Sequence, residues 1–504
     1  MSESRDTFGR AGAILLAAAM LVCPARAARA QLTPPPAGEP TPCMDHGMNI
    51  TFATAVGVDN RGYTYVTGGK RLNDEASGAS RGSAFVTIKY SPDGDEVWSR
   101  SHQDAFGCFD HARALATDRA GNVYVTGTVW LAGNNSAGSS VDQPRRAYAT
   151  IKYDANGTLQ WAARYLIDGD QKNEPLAIAL DHHGGVYVTG QSYGGQGTPR
   201  LAIATVKYDV ESGEQLWAAR YTGDRGVLGV SGMTFSAGAL YVAATTCAQV
   251  TARGNCSDFA YEALSYDTSG ALQWTARYQN GAGFASWATG LAADRAGNLY
   301  VTGASCSTPY SFDDEGDVAR AGCDEADYAT VKISASGTTS WIARYHGASS
   351  GNYVPQAIAV DEGGNVYVSG SGAREDQGFH TIAYDRNGRQ SWAAVFEGTS
   401  YAAPRAIAVD SRGRAYVAGL VVRGFNGHFA LVAYDSRGSQ LWNHQVQGPD
   451  RTRDWTAAAA AIDRQGRLRV TGGTMDILDW GVVNSWYLTN MYTADGDLLW
   501  TRDF

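Results

Sequence analysis

The chain is poor in charge. Only 18% of its 504 residues are Asp, Glu, Lys or Arg, and they lean acidic, 41 basic against 50 acidic for a net charge of −9. No basic stripe is present to neutralise phosphates, which argues against a nucleic-acid partner. The Ala/Glu/Lys/Leu patterning at period 3.6 that marks helices is missing as well. Past the first thirty residues no apolar run approaches the length of about 18 residues that a membrane-spanning helix needs. There is no Cys-x-x-Cys-His and no phosphate loop, which removes covalent haem and a nucleotide cradle. Gly-x-Ser-x-Gly strings stand at 78–82 and 347–351, but no helix pattern follows either, so no hydrolase nucleophile elbow is expected.

Residues 1–30 read as a secretory leader. Arg5 and Arg10 precede a short apolar run from Ala11 to Val22, and Ala28-Arg29-Ala30 offers small residues before a cleavage point at Ala30/Gln31. Lipoprotein processing ranks second, because Val22 stands where a small residue should precede Cys23. Residues 31–49 are a Pro-rich spacer and N-terminal segment, and the mature chain is expected to be secreted or periplasmic with no transmembrane segment. Six cysteines remain after the leader: Cys43, Cys108, Cys247, Cys256, Cys306 and Cys323. An even number in an exported chain reads as disulfides, and spacing without paired knuckles disfavours zinc. Cys247 and Cys256 share one loop, Cys306 and Cys323 another, which leaves Cys43 with Cys108.

What the sequence has in abundance is glycine (60), tyrosine (27) and tryptophan (13), the composition of short strands joined by tight turns. Two motifs alternate over residues 50–504. The first is written AVGVDNRGYTYVTG at 55–68, ALATDRAGNVYVTG at 114–127 and AIAVDEGGNVYVSG at 357–370. The second is a strand ending in Tyr, a Gly turn, and Trp four residues after the Gly, as in Tyr90, Gly94 and Trp98. Each occurs eight times, the second with Ile333 in place of Tyr in one copy, and the mean step between repeated tryptophans is (500 − 98)/7, about 57 residues. Each unit holds four antiparallel strands, whose turns use Gly for positive φ and Asp to cap its own backbone. Such units cannot bury both faces alone, and radial stacking buries them against their neighbours. The expectation is an all-β fold, a β-propeller of eight four-stranded blades around a central axis, closed by face packing between first and last blade without a shared strand.

The pairing of AIAVDxxGNVYVTG with YATVKYDxxGxxxW resembles the bacterial SBBP-type (seven-bladed β-propeller repeat) family, over residues 50–504. The resemblance implies an exported propeller with no common activity, and its name makes seven blades the alternative to the eight counted here.

Whatever recurs in most blades is frame: the eight motif tryptophans, the turn aspartates, and Lys89, Lys152, Lys207 and Lys332, read as buried stems with heads paired to a turn Asp. Blade 4 breaks the pattern with Phe235 in the Asp slot, and blade 8 carries Arg469 where Tyr is usual. Links 2–3 and the links between blades are long and unlike one another, and a meander puts both on one face, where function is expected. That face carries the candidate ligand-binding residues Trp130, Trp287, Tyr353, Tyr401, Trp455, Arg113, Glu174 and Arg453. Aromatic faces among arginines and carboxylates suit a glycan or the surface of a cell-envelope protein. His111, beside Asp110, and Arg405 are the candidates for catalysis. Asp313, Asp314 and Asp317 lie in an acidic loop that offers oxygen ligands to calcium but lacks the full loop pattern. No cofactor is expected. The rival to a binding protein is an enzyme, either polysaccharide-active or a quinoprotein-like dehydrogenase. Asp209-x-x-x-Gly213-x-x-x-Trp217 is similar to the tryptophan-docking motif of eight-bladed quinoproteins, but the vicinal cysteine pair is absent, so pyrroloquinoline quinone is disfavoured.

Overall fold

The computed structural model describes residues 51–504 except 74–79, 105–108, 132–144, 167–171, 182, 194–200, 251–255, 309–322, 398–400, 424–425, 447–452 and 479–480. The strands fall into eight sheets of four, each antiparallel and each ordered as in the sequence. The eight sheets form a closed ring, with neighbouring first strands packed side by side all the way round. The chain is an eight-bladed β-propeller, one more blade than the family name suggests.

Among the described residues the apolar core is divided round the ring. Eight apolar clusters occupy the eight junctions between blades, each drawing residues from two neighbours. The repeated tryptophan explains why. Trp98 of blade 1 lies against Gly157 in the 3–4 turn of blade 2, and its indole Nε1 donates to the Ala155 carbonyl of that turn at 3.1 Å. A Cβ on Gly157 would meet the indole at 2.8 Å, and its φ of +80° already favours glycine. The same tryptophan-on-glycine contact recurs at all eight junctions, including Trp500 on Gly94. The last blade therefore grips the first as each blade grips the next. No strand is shared at the closure: blade 1 begins with its own Phe52–Val58 and blade 8 ends with Leu498–Asp503.

A second joint lies nearer the axis. Each turn Asp accepts two backbone N–H groups on one oxygen and a tyrosine O–H from strand 2 on the other, as in Asp59 with Arg61, Tyr63 and Tyr65. Tyr65 also donates to the Gly121 carbonyl of the next blade. In blade 8 Arg469 replaces the tyrosine and is fully buried. It donates to Asp463 at 2.5 Å, and across the closure to the Gly62 carbonyl (3.1 Å) and Thr64 Oγ1 (3.2 Å) of blade 1. Burial alone would raise the Asp463 carboxyl, but the Arg469 charge and hydrogen bonds, with those of Arg467, hold it below the ordinary value.

The lysine expectation needs correction. The four ammonium groups reach chiefly backbone carbonyls of the next blade's 3–4 turn: Ala155, Val210, Thr268 and Arg386. Only Lys207 also approaches a turn Asp, Asp181 at 3.6 Å. These carbonyls are the ones the indoles bind, and each lysine also sits over a tyrosine ring. The stem lies in apolar packing while the head finds the nearest oxygen with a free lone pair.

Candidate functional site

Cys247–Cys256 and Cys306–Cys323 are disulfide-bonded, each within one long link. Such bonds are compatible with an extracellular, oxidising location. Cys43, Cys108, Asp313, Asp314 and Asp317 lie outside the described residues, as does the leader. Among the described residues no group of acidic, histidine and cysteine side chains is placed to hold a metal, and no helix is long and apolar enough to cross a membrane.

The long-loop face begins at a feature the periodicity did not reveal. In seven blades the inner strand bulges by one residue just before its small-apolar stretch, leaving that residue unpaired with strand 2: Thr54, Arg113, Leu176, Thr289, Gln356, Arg405 and Ala458. In blade 4 Leu228 and Ser231 are skipped. A bulge re-aims a side chain and occurs where function needs it. Arg113 and Arg405 thus hold equivalent positions, three blades apart round the ring.

Blades 2 and 3 gather three of the eight expected ligand-binding residues, Arg113, Trp130 and Glu174. Arg146 lays its guanidinium over the Trp130 ring at 4.6 Å and forms an ion pair with Glu174. Phe109 packs against the same indole, ring centres 5.1 Å apart. Asn173 donates to the Arg146 carbonyl at 3.1 Å. Arg113 is half-buried, and burial lowers its guanidinium below the ordinary value against the raising charge of Glu174. Arg146 was missed at the sequence level because it lies in strand 3 at a place no motif marks. Thr128 Oγ1, Asn173 Oδ1 and Gln191 Oε1 are among the buried polar atoms of these two blades that have no hydrogen-bond partner among the described residues.

His111 and Asp110 are neighbours in sequence but not a catalytic pair. Asp110 is fully buried and accepts the backbone N–H of Asp104 (2.7 Å) and Trp130 (3.0 Å). Burial pushes its carboxyl up to about 7. His111 Nδ1 faces the Phe109 carbonyl instead, and burial holds the imidazole down to about 4, so it is neutral at pH 7.

The other expected residues scatter. Trp287 is half-buried and packs beside Cys306–Cys323 with Phe259 and Val354. Tyr353 is completely buried, its hydroxyl given to Asp376 at 2.6 Å. Tyr401 is 47% exposed at the start of the blade 7 inner strand, Tyr401–Val409. Arg453 and Trp455 open the corresponding strand of blade 8, Arg453–Ile462; their side chains lie outside the described residues. No single aromatic platform forms among the described residues.

Blade 5, with Tyr278 of blade 4, holds a cluster that sequence reading overlooked. Asp327 accepts Arg344 Nη2 at 2.6 Å and Nε at 3.1 Å, and its other oxygen faces His346 Nδ1 at 2.7 Å. Arg344 also donates to Tyr278 and Ser305. The His346 side chain is 41% exposed. Its partner lies 19 residues away across a strand and a turn, so no local spacing signals it.

Comparison with known proteins yields no matching family model and no matching curated protein. Solved structures match at low identity. The Pan2 WD40 domain of Neurospora crassa is 10% identical, with 83% of this chain and 85% of that one covered and a TM-score of 0.39. Sqt1 from Chaetomium thermophilum is 12% identical over 75% and 87%, TM-score 0.42. A puromycin hydrolase is 12% identical over 84% of this chain and 58% of that one, TM-score 0.43. Likenesses at this level accompany the propeller architecture and assign no activity.

Proposed function

We propose that this is an exported, non-enzymatic binding propeller related to the SBBP-type repeats, whose long-loop face takes a glycan at blades 2 and 3. One observation carries the assignment: the half-exposed stack of Arg146 on Trp130, flanked by Glu174 and Arg113. A guanidinium lying flat on an indole beside a carboxylate presents donors, an acceptor and an apolar plane within one small area, which suits the mixed polar and apolar faces of a sugar. Glycan-array binding by the full chain, compared with Trp130→Ala and Glu174→Gln, is the test. Loss of signal in both variants is expected; unchanged binding in both removes the site.

A second proposal, an enzyme, is favoured by the exposed His346 held by Asp327. A carboxylate that orients Nδ1 leaves Nε2 to accept a proton, as a polysaccharide lyase base must. Unsaturated uronate formation from alginate or polygalacturonate, lost in His346→Ala, would support it. No product from either polymer would remove it.

A further inference from the structure

On the long-loop face, the junction of blades 2 and 3 carries more cation than its own carboxylates engage. Arg146, in the third strand of blade 2 (Arg145–Tyr153), is ion-paired with Glu174, and Arg164 with Asp104. Asp110 is fully buried and accepts the backbone N–H groups of Asp104 and Trp130. Arg113 and Lys172 are left over. Neither side chain makes a hydrogen bond or an ion pair among the described residues.

Arg113 is the residue skipped by the bulge in the inner strand of blade 2, His111–Thr117, between Ala112 and Ala114. Both alanines are completely buried, whereas Arg113 keeps part of its surface. Burial lowers its guanidinium, Glu174 raises it and Arg146 lowers it again, so it stands within the field of the ion pair that lies on Trp130. A guanidinium drawn this far out of water calls for an acceptor, because a buried charge without one is costly. Lys172 is exposed and opens the inner strand of blade 3, Lys172–Leu180, two residues before Glu174 and on the same side of the strand. In a chain of net charge −9, two unmatched cations thus flank the Trp130–Arg146 stack.

We propose that the glycan taken at blades 2 and 3 is acidic: a uronate-bearing chain with one carboxylate on Arg113, its sugar ring against the Trp130–Arg146 stack, and a further carboxylate near Lys172. Glu174 occupies Arg146 and keeps it on the indole, which leaves Arg113 as the partner for the anion. A carboxylate matches the planar fork of a guanidinium, and such charge-assisted bonds discriminate against a neutral sugar of the same shape.

The proposal rests on the glycan reading of this face, and one titration series separates the two. The full chain is titrated calorimetrically with oligosaccharides of galacturonate, alginate and hyaluronan, with the methyl esters of the same sugars, and with cellohexaose and mannohexaose as neutral probes. Saturable binding of a uronate oligosaccharide is expected. It should weaken about tenfold or more for the methyl ester and for Arg113→Gln, less for Lys172→Gln, and should fall as salt is added. Arg113→Gln removes no hydrogen bond of the described chain, and Lys172→Gln, at an exposed position, carries the test should the first variant fail to fold. An ester or neutral sugar bound as tightly as the acid, or binding of the acid unaltered in both cation variants, overturns the acidic assignment; if that binding is lost in Trp130→Ala, the glycan site itself stands. A flat titration with every sugar removes both.

Discussion

On the tight-turn side one joint is made eight times over: indole on glycine, with the indole N–H of Trp98, Trp161, Trp217, Trp274, Trp341, Trp442 and Trp500 on a turn carbonyl. On the long-loop side, even a repeated residue finds a different partner each time. The arginine three positions after the motif tryptophan pairs with Asp104 from Arg164, with the Cys247 carbonyl from Arg277, and with Asp327 from Arg344. The first side holds the ring together by repetition. The second spends the same side chain on whatever each link offers, so its contacts are private to one blade and free to differ without disturbing the ring.

Four measurements would break or sharpen that contrast. The largest effect is expected at the closure. Arg469→Leu leaves Asp463 buried without its main counter-charge and removes two bonds to blade 1, costing about 3–5 kcal/mol in urea unfolding. Arg469→Tyr, the residue of the other seven blades, should recover much of it. Next comes a matched pair of tryptophans: Trp161→Ala in a joint should cost about 3–5 kcal/mol, and Trp130→Ala on the opposite face clearly less. Equal losses would erase the distinction between the faces.

The third concerns pH. Because burial raises Asp110 to about 7, the folded protein keeps this proton to higher pH than the unfolded chain does. Its contribution to stability is therefore complete below about pH 4 and is lost as pH rises through about 7. In Asp110→Asn the fall in unfolding free energy over that window should flatten; an unchanged slope would reject the assignment. The smallest effect is expected from Lys89→Met, within about 1 kcal/mol. Trp98 still donates to the Ala155 carbonyl, and blade 8 already carries Met491 at the equivalent place.

The fold was legible because its determinants recur. Gly157 and Trp98 announce a joint by their spacing, and Phe235 and Arg469 were visible as departures from it. Which partner each departure finds was not legible, since the Arg469 bond to Gly62 joins residues 407 apart. The site was harder for the same reason. Trp130 and Glu174 could be picked out as residues foreign to the repeat, but Arg146 became relevant only once strand 3 of blade 2 lay beside the inner strand of blade 3. Tyr353 looked like a free aromatic from its place before an inner strand, and Asp376, 23 residues further on, draws it inside. The bulge at Arg113 and Arg405 shows in register rather than in composition.

The contact of Trp500 on Gly94 has a consequence for the order in which the chain is written. If the junction across the chain ends is of the same make as the seven internal ones, the place where the polypeptide starts is a matter of bookkeeping. A gene re-cut between any two blades, with the old ends linked, encodes the same wheel.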